Sequence, residues 1–259
     1  MNTIRLFRLL QESGFASRRN VRQLIQMGKI KVNQRIIRDP NFPVDCDRDT
    51  VHFRNRLLKL RPERKRYFIL NKPTGVVSTL FDAQRRPTIK DLIGGIHERV
   101  YPVGRLDYQS EGLILLTNDG ELTNFIISAK NKVPKIYLIK IKGSLSDGEK
   151  SKLERGLFFE GTRLNPFHIE PVKQTPQGNS WLRVTISEGK KHILRKAFQF
   201  CGHPVEKLKR IAIGTITLKN IKTGQWRELP EADIQRLRKK FSIPASRQPE
   251  QKTGKIPER

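Results

Sequence analysis

The sequence predicts an α+β protein with a small N-terminal domain and a larger domain that contains a mixed, mostly antiparallel sheet. Two observations carry this prediction. Apolar residues recur at helical spacing in the first part of the chain, whereas most of the remainder consists of short apolar runs separated by Pro, Gly and polar residues. Few of these runs suit long helices, which favours a largely antiparallel sheet. The length of 259 residues allows one or two such domains.

The first elements of the chain are predicted to be two short helices. Leu6, Leu9 and Leu10 recur at helical spacing, and Gly14 ends that pattern. Ser17 is a favourable N-cap for a second helix, because its side-chain oxygen can accept a hydrogen bond from a backbone N–H of the first turn. Gly28 ends this second helix.

A β-hairpin is expected next. Ile30 and Val32 alternate with lysines, Asn33-Gln34 forms the turn, and Ile36-Ile37 begins the return strand. The basic residues of the second helix lie away from its apolar stripe, where they suit either a nucleic acid or a merely solvated helix face. These residues are Arg18, Arg19 and Arg22.

A dense run of charge marks a linker after this first part. The run KLRPERKR, over 59–66, contains Pro62, and its charge argues against buried structure. We predict a first domain over residues 3–60, a basic linker over 61–66, a second domain over 67–243 and a disordered basic tail over 244–259. The clearest strand-like runs of the second domain are Leu113–Thr117, Ile136–Ile141, Trp181–Ile186 and Ile213–Leu218.

The composition points to a polyanionic partner. The chain carries 52 Lys and Arg against 25 Asp and Glu, a formal net charge of +27. This excess disfavours an ordinary acidic metabolic enzyme and indicates nucleic acid or an anionic membrane. No run approaches the ~20 apolar residues that span a bilayer, and no amphipathic helix has the broad apolar face of a membrane-surface helix. Nucleic acid is therefore the favoured partner.

Cysteine usage fits a reducing compartment. Cys46 and Cys201 match no zinc-ligand spacing, and the N-terminal residues do not resemble a secretory leader. We therefore expect a cytoplasmic protein without a bound metal ion or a structural disulfide.

The segment YPVGRLDYQSEGLILLTNDGEL, over 101–122, holds the main candidate for chemistry. Asp107 lies between a Pro-Val-Gly turn and a strongly apolar strand, where a carboxylate would be partly desolvated and firmly held. Arg105 lies two positions away and would point to the same side of an extended loop. Taken alone, these residues favour the simpler interpretation that Asp107 caps a turn.

Several separated segments resemble one family. GFASRRNVRQLIQMGKIKVN resembles the S4 RNA-binding domain, although Gln34 stands where that domain usually has Gly. GRLDYQSEGLILLTNDGEL resembles the signature of pseudouridine synthases of the RsuA/RluB/RluE/RluF family, which modify single uridines of ribosomal RNA. LNKPTGVVST, VPKIYLIKIKG and ISEGKKHILRKAFQFCGHPVEKLKRIAIGTITL resemble the other motifs of this family, in the expected order.

The resemblance implies a role for each matching position. Asp107 matches the catalytic aspartate, Tyr137 matches the tyrosine that packs on the target uracil, and Arg195 matches the basic residue that pairs with the aspartate. Arg105 matches the arginine that helps to fill the space left by the flipped nucleotide. The further residues expected to contact RNA are Arg18, Arg19, Arg22, Lys29, Lys72, Lys190, Lys191 and His192.

The reaction of this family makes sense of these residue types. Pseudouridine formation breaks the N1–C1′ bond, turns the uracil and joins C5 to C1′ without gain or loss of atoms, so the resemblance implies no cofactor and no metal. A carboxylate can act at C1′ as a nucleophile or take a proton from the sugar, and the sequence leaves both routes open. Lys207, Lys209 and Arg210 are expected to form a basic surface near the cleft, although a solvated strand edge would look the same.

The second domain departs from the family pattern at two places, neither of which includes the catalytic candidates. Ile193 stands where many members have Gln or Glu, and Ser128-Ala129 replaces a common His-Pro pair. The resemblance implies a synthase that acts on ribosomal RNA or a pre-ribosomal particle, and the Tyr-Gln-Ser-Glu-Gly run after Asp107 favours large-subunit (23S) RNA. A monomer is the default expectation. The alternatives are a small-subunit (16S) synthase and an inactive RNA-binding ribosome-assembly factor.

Overall fold

The computed structural model describes residues 3–60, 63–159 and 161–244. The chain divides into two compact units, with the boundary between Lys65 and Arg66. Residues 61 and 62 of the expected linker lie outside the described residues, as does the expected tail over 244–259 apart from its first residue. No helix in the described ranges is long and apolar enough to cross a bilayer.

The first unit packs two short helices against small antiparallel sheets. Its elements are β1 (Thr3–Arg5), α1 (Leu6–Glu12), α2 (Arg18–Gln26), β2 (Ile30–Val32), β3 (Arg35–Ile37), β4 (Pro43–Asp45), β5 (Val51–Phe53) and β6 (Arg56–Leu57). The strands pair in the order β3-β2-β5-β6, and β1 pairs with β4. Ser17 caps α2 as predicted, because its Oγ accepts a hydrogen bond from the Asn20 N–H at 3.1 Å. Beyond β6 the chain returns to α1, where the Glu63 N–H donates to the Glu12 carbonyl at 3.0 Å.

The hairpin of β2 and β3 keeps its turn despite the Gly-to-Gln departure. Asn33 and Gln34 both have positive φ, at 47° and 68°. A two-residue hairpin turn of this type requires positive φ at both positions, which Gly tolerates better than Gln. The Asn33 side chain offsets part of that strain, because its Oδ1 accepts from the Thr50 N–H at 2.9 Å.

The second unit is built on one large sheet with helices on its faces. Its strands are β7 (Tyr67–Lys72), β8 (Tyr101–Val103), β9 (Glu111–Thr117), β10 (Lys135–Ile141), β11 (Phe158–Phe159), β12 (Thr162–Arg163), β13 (His168–Gln174), β14 (Ser180–Ile186), β15 (Val205–Ile213), β16 (Ile216–Thr217) and β17 (Trp226–Glu228). Its helices are α3 (Gly120–Ile127), α4 (Asp147–Arg155), α5 (Ile193–Phe200) and α6 (Glu231–Phe241). The main path of the sheet runs β13-β14-β10-β15-β9-β7-β17, while β16 pairs with β15 and β8 pairs with β9. The predicted α+β class with a mixed, mostly antiparallel sheet is confirmed.

Apolar side chains cover both faces of this sheet. Along β9, Ile114 and Leu116 pack into one apolar cluster, whereas Leu113 and Leu115 pack into another on the opposite face. Alternation along a strand sends successive side chains to opposite faces, so a strand that is apolar throughout must be covered on both. The central position of β9 makes the loop before it, which contains Asp107, part of a well-supported frame.

A short parallel contact joins the two halves of the sheet. β9 pairs with β15 through Glu111 with Lys209 and through Gly112 with Arg210. The backbones approach so closely that a Cβ at Gly112 would lie 2.2 Å from the carbonyl oxygen of Arg210, and Gly112 has φ +107°. Only glycine satisfies both conditions.

One predicted strand is wrong. The run Ile213–Leu218 was expected to be continuous, but β15 ends at Ile213 and β16 begins at Ile216. Gly214 adopts φ +55° between them, and β16 folds back antiparallel onto β15. The apolar alternation continues through this turn, which is why periodicity alone did not reveal it.

Candidate active site

The loop that carries Asp107 joins β8 to β9 and is fixed by hydrogen bonds on both sides of that residue. The Leu106 N–H donates to Ser78 Oγ at 3.0 Å, and the Leu106 carbonyl accepts from the same hydroxyl at 2.7 Å. The Tyr108 carbonyl accepts from the Gly75 N–H at 2.9 Å. Because these bonds hold the residues immediately before and after it, Asp107 is presented from a rigid backbone.

The Asp107 carboxylate meets a histidine at the start of α5. His192 Nε2 lies 3.1 Å from Asp107 Oδ1, and the two side chains are 42% and 37% exposed. The carboxylate is therefore reachable from solvent. His192 has a left-handed backbone with φ 56°, a conformation that costs free energy in a residue with a side chain and is kept where the surroundings hold it.

Arg195 borders the same loop but donates to backbone carbonyls. Its Nη1 donates to the Val205 carbonyl at 2.8 Å and its Nη2 to the Gln109 carbonyl at 3.3 Å. Within the described chain, the side chain that contacts the Asp107 carboxylate is His192 and not the expected Arg195. These two hydrogen bonds tie α5 and β15 to the Asp107 loop.

A cavity of about 390 Å³ opens beside Asp107. This volume lies in the range of sites for small ligands. Tyr137 lines the cavity and is 9% exposed. The structure thus brings together residues from three distant motifs, and the predicted site residues that line the cavity are Arg105, Asp107, Tyr137, Lys190, Lys191, His192 and Arg195.

Besides the buried carboxylate of Glu188, three buried polar side chains line this cavity. They are Ser110, Lys135 and Arg210, at 0%, 6% and 3% exposed. Burial, together with the neighbouring positive charge of Arg210, lowers the pKa of Lys135 to about 8. The expectation that Arg210 belongs to a basic surface is wrong, because strand alternation turns it inward. Sequence reasoning did not place any of the three inside the cavity.

The prediction that Lys72 contacts RNA is wrong, because the side chain is buried. Its side chain is 0% exposed, and Nζ donates to the carbonyls of Pro73 at 2.7 Å and Val76 at 2.8 Å. Burial lowers the pKa of Lys72 to about 8, although the negative charges of Asp107 and Glu111 act to raise it. Lys72 fastens the loop after β7 and offers no surface to a phosphate.

The remaining predicted RNA contacts are exposed. They are Arg18, Arg19, Arg22 and Lys29 in the first unit, and Arg105, Lys190, Lys191 and His192 in the second. Lys190 Nζ lies 3.3 Å from Oε2 of Glu188, a buried carboxylate of the cavity wall that sequence reasoning did not identify. Over the described ranges, no group of three or more His, Cys, Asp and Glu side chains is arranged to hold a metal ion.

Comparison with known proteins gives consistent matches to both units. The S4 domain family matches residues 4–51, and the RNA pseudouridylate synthase family matches residues 66–200. An uncharacterised RNA pseudouridine synthase of Aquifex aeolicus is 40% identical over 244 residues, which cover 94% of this chain and 97% of that protein.

Two further relatives extend the comparison. The ribosomal large subunit pseudouridine synthase B of Bacillus subtilis is 37% identical over 239 residues, covering 90% of this chain and 95% of its own. A crystal structure of a pseudouridylate synthase superposes with a TM-score of 0.64 at 27% identity, covering 90% of this chain and 99% of that one.

Proposed function

The chain belongs to the RNA pseudouridylate synthase family, and we propose that it converts one uridine of ribosomal RNA, in the large subunit, to pseudouridine. It is an isomerase with an RNA substrate. The observation that carries the proposal is the meeting of Asp107, Tyr137 and Arg195 at one cavity. The choice of the large subunit is supported by the name of the Bacillus subtilis relative and by its identity of 37%.

Asp107 is the proposed catalytic group. Its carboxylate acts on the sugar of the target nucleotide, either by attack at C1′ or by removal of a proton from C2′. Both routes need an ionised carboxylate in a fixed orientation. The hydrogen bonds of Leu106 and Tyr108 supply the orientation, and His192 supplies a polar partner at 3.1 Å.

Tyr137 is proposed to receive the target base. A uracil stacked in RNA has to leave the stack before its glycosidic bond can be reached, and a flat aromatic face is a favourable surface for the extruded base. Tyr137 lies in the wall of a cavity that also contains Asp107, so the base and the sugar would be held in one place. Arg105, exposed at the cavity rim, is proposed to fill the position that the base leaves.

RNA is proposed to bind through separate basic surfaces of the two units. The S4-type unit offers exposed arginines on α2, and the cavity rim offers Lys190 and Lys191. Basic side chains on pre-formed elements grip phosphates and set the register of the RNA, whereas the cavity selects the nucleotide. We propose the S4 domain over residues 3–60 and the catalytic domain over 67–243.

The first experiment maps pseudouridines in ribosomal RNA from cells with and without this protein. We expect one site, in large-subunit RNA, to disappear with the protein. If the site that disappears lies in small-subunit RNA, the substrate is small-subunit RNA and not large-subunit RNA. The absence of any lost site would favour the inactive RNA-binding factor.

The second experiment tests Asp107 with purified protein. We expect Asp107→Asn to abolish pseudouridine formation on the mapped RNA while its RNA affinity stays close to that of the wild type. The physical reason is that an amide cannot act as nucleophile or base, yet keeps the size of the side chain. Conversion of uridine by this variant at the wild-type rate would refute the catalytic assignment.

A further inference from the structure

Two positively charged side chains are buried next to each other in the cavity wall. Lys135 and Arg210 are 6% and 3% exposed. Their polar contacts in the described chain are with neutral carbonyls: Lys135 Nζ donates to Ile126 at 2.9 Å, and Arg210 Nε donates to Leu113 at 2.7 Å. Burial of a charge without a counter-ion is costly, so two such cations at one cavity call for a functional explanation.

The same region holds two polar atoms without a partner. Arg210 Nη2 and Ser110 Oγ are buried and have no hydrogen-bond partner among the described residues. Buried polar atoms in proteins are nearly always paired, and exceptions often mark a place where water or a ligand completes the site. Because both side chains line the cavity, a molecule that enters it is the natural partner.

Arg210 lies beside Tyr137, the proposed binding position of the base. In the register of β10 and β15, Tyr137 lies directly opposite Arg210. Lys135 precedes Tyr137 by two residues and therefore shares its face of the sheet. A uracil that rests on Tyr137 would bring its polar edge towards Arg210, while Asp107 lines the same cavity from the loop before β9.

The charge movement of the reaction matches this arrangement. When the N1–C1′ bond breaks, its electron pair stays on the uracil, whose negative charge spreads over N1 and the two carbonyl oxygens. At the same time C1′ gains a bond to an oxygen of Asp107, or the C2′ proton passes to Asp107 as a C1′=C2′ bond forms. In both routes negative charge leaves Asp107 and appears on the base. Donors that are already in place where charge develops are the most effective stabilisers of a transition state.

We propose that Arg210 donates a hydrogen bond through Nη2 to a carbonyl oxygen of the detached uracil, and that Lys135 and Ser110 complete an anion-stabilising site with it. This inference rests on the proposed function and assigns that function a further catalytic residue. Lys135 and Arg210 are in place before the substrate arrives, so no positively charged group has to move in during the reaction. It also retains the free base in the cavity while it turns to present C5.

The experiment measures single-turnover rates and RNA affinities on the mapped RNA for Arg210→Met and Arg210→Lys. We expect Arg210→Met to slow the chemical step by about 100-fold or more, the usual effect of removing one such donor, with RNA affinity nearly unchanged. Arg210→Lys keeps the positive charge, so its chemical step should be slowed less than that of Arg210→Met. The control, Arg183→Met, removes an exposed arginine of β14 that pairs with Glu170, and should react like the wild type.

A second measurement separates contact with the base from a structural role. The target uridine is replaced by 2-thiouridine or 4-thiouridine, because sulfur accepts a hydrogen bond more weakly than oxygen. We expect one of the two substitutions to slow the wild type by about 10-fold and to have little effect on Arg210→Met. Equal penalties in both proteins at both positions would overturn the proposal, as would a folded Arg210→Met with the wild-type rate.

Folding and the proposed function are checked separately. If Arg210→Met does not fold, the same comparison is made with Arg210→Lys and Ser110→Ala. The proposal would be overturned if both variants react at the wild-type rate and are slowed by the thiouridines as much as the wild type is. Failure of the function itself would appear as an inactive wild type or an active Asp107→Asn variant. An active wild type with an inactive Asp107→Asn variant leaves the function standing whatever the outcome at Arg210.

Discussion

Lys135 makes the stability of this protein depend on pH above neutrality. Burial lowers its pKa to about 8, whereas in the unfolded chain a lysine has its usual value of about 10.4. Between these values the unfolded state binds more protons than the folded state, so the free energy of unfolding rises with pH. Lys72 has the same low pKa of about 8 and acts in the same direction. Each lysine contributes a slope of up to about 1.4 kcal/mol per pH unit.

The measurement is denaturant unfolding at pH values from 7.5 to 9.5 for the wild type and Lys135→Met. We expect the rise in unfolding free energy over this range to be smaller in the variant, because one of the two titrating lysines is gone. Lys239→Met, which removes an exposed lysine of α6, serves as the control and should keep the wild-type slope. An identical slope in Lys135→Met would contradict the assigned burial effect.

At the scale of single residues, the sequence predicted which residues line the cavity better than it predicted their burial and their contacts. Asp107, Tyr137 and Arg195 were chosen from separate motifs, and all three line one cavity. The burial of Lys72 was not predictable, since a lysine before a proline at a strand end looks the same whether exposed or enclosed. The contact of His192 with Asp107 joins residues far apart in the chain, and only the folded arrangement of α5 and the β8–β9 loop reveals it.

The parallel pairing of β9 with β15 is the element-level feature on which the site depends. It joins the strand that follows Asp107 to the strand that carries Arg210. A methyl group at Gly112 would lie 2.2 Å from the Arg210 carbonyl, and the backbone there has φ +107°. We therefore expect Gly112→Ala to separate these strands, to lower stability by more than about 2 kcal/mol and to abolish activity.

The matched control for this substitution is Gly148→Ala in α4. No atom lies within 4 Å of a Cβ at Gly148, and Ala is the better helix former, so stability should stay the same or rise by up to about 1 kcal/mol. Thermal unfolding and pseudouridine formation are measured for both variants. A Gly112→Ala protein with wild-type stability and activity would show that the strand contact is not required.

At the scale of elements, local signals were sufficient where the structure is local. The cap at Ser17, the helix that follows it and the hairpin turn at Asn33-Gln34 all depend on neighbours in sequence, and all were predicted. The run Ile213–Leu218 was predicted wrongly because its alternation continues through Gly214, while the turn there is imposed by pairing with β15. The parallel pairing of β9 with β15 could not be predicted either, because neither segment contains a local signal that indicates which strand it pairs with.

At the scale of the whole molecule, the net charge of +27 is proposed to act through two basic surfaces, one on each unit. The first unit has an exposed basic face on α2, and the second unit has basic residues around the cavity. The composition predicted a polyanionic partner correctly, but it gave no indication that two of the cations, Lys135 and Arg210, are buried at the site. Affinity and chemistry are therefore expected to respond to different substitutions.

Simultaneous substitution of Arg18, Arg19 and Arg22 by Gln separates the contributions of the two surfaces to RNA binding and to catalysis. Each phosphate contact contributes about 0.7 to 0.9 to the slope of log affinity against log salt, so the slope should fall by about 2 if these arginines bind RNA. Affinity at low salt should drop, whereas turnover at saturating RNA should persist, because Asp107 and its cavity belong to the other unit. The control removes three exposed cations of α6, which are Arg236, Lys239 and Lys240. An equal loss of affinity in this control would mean that RNA responds to total charge and that α2 has no special part in binding.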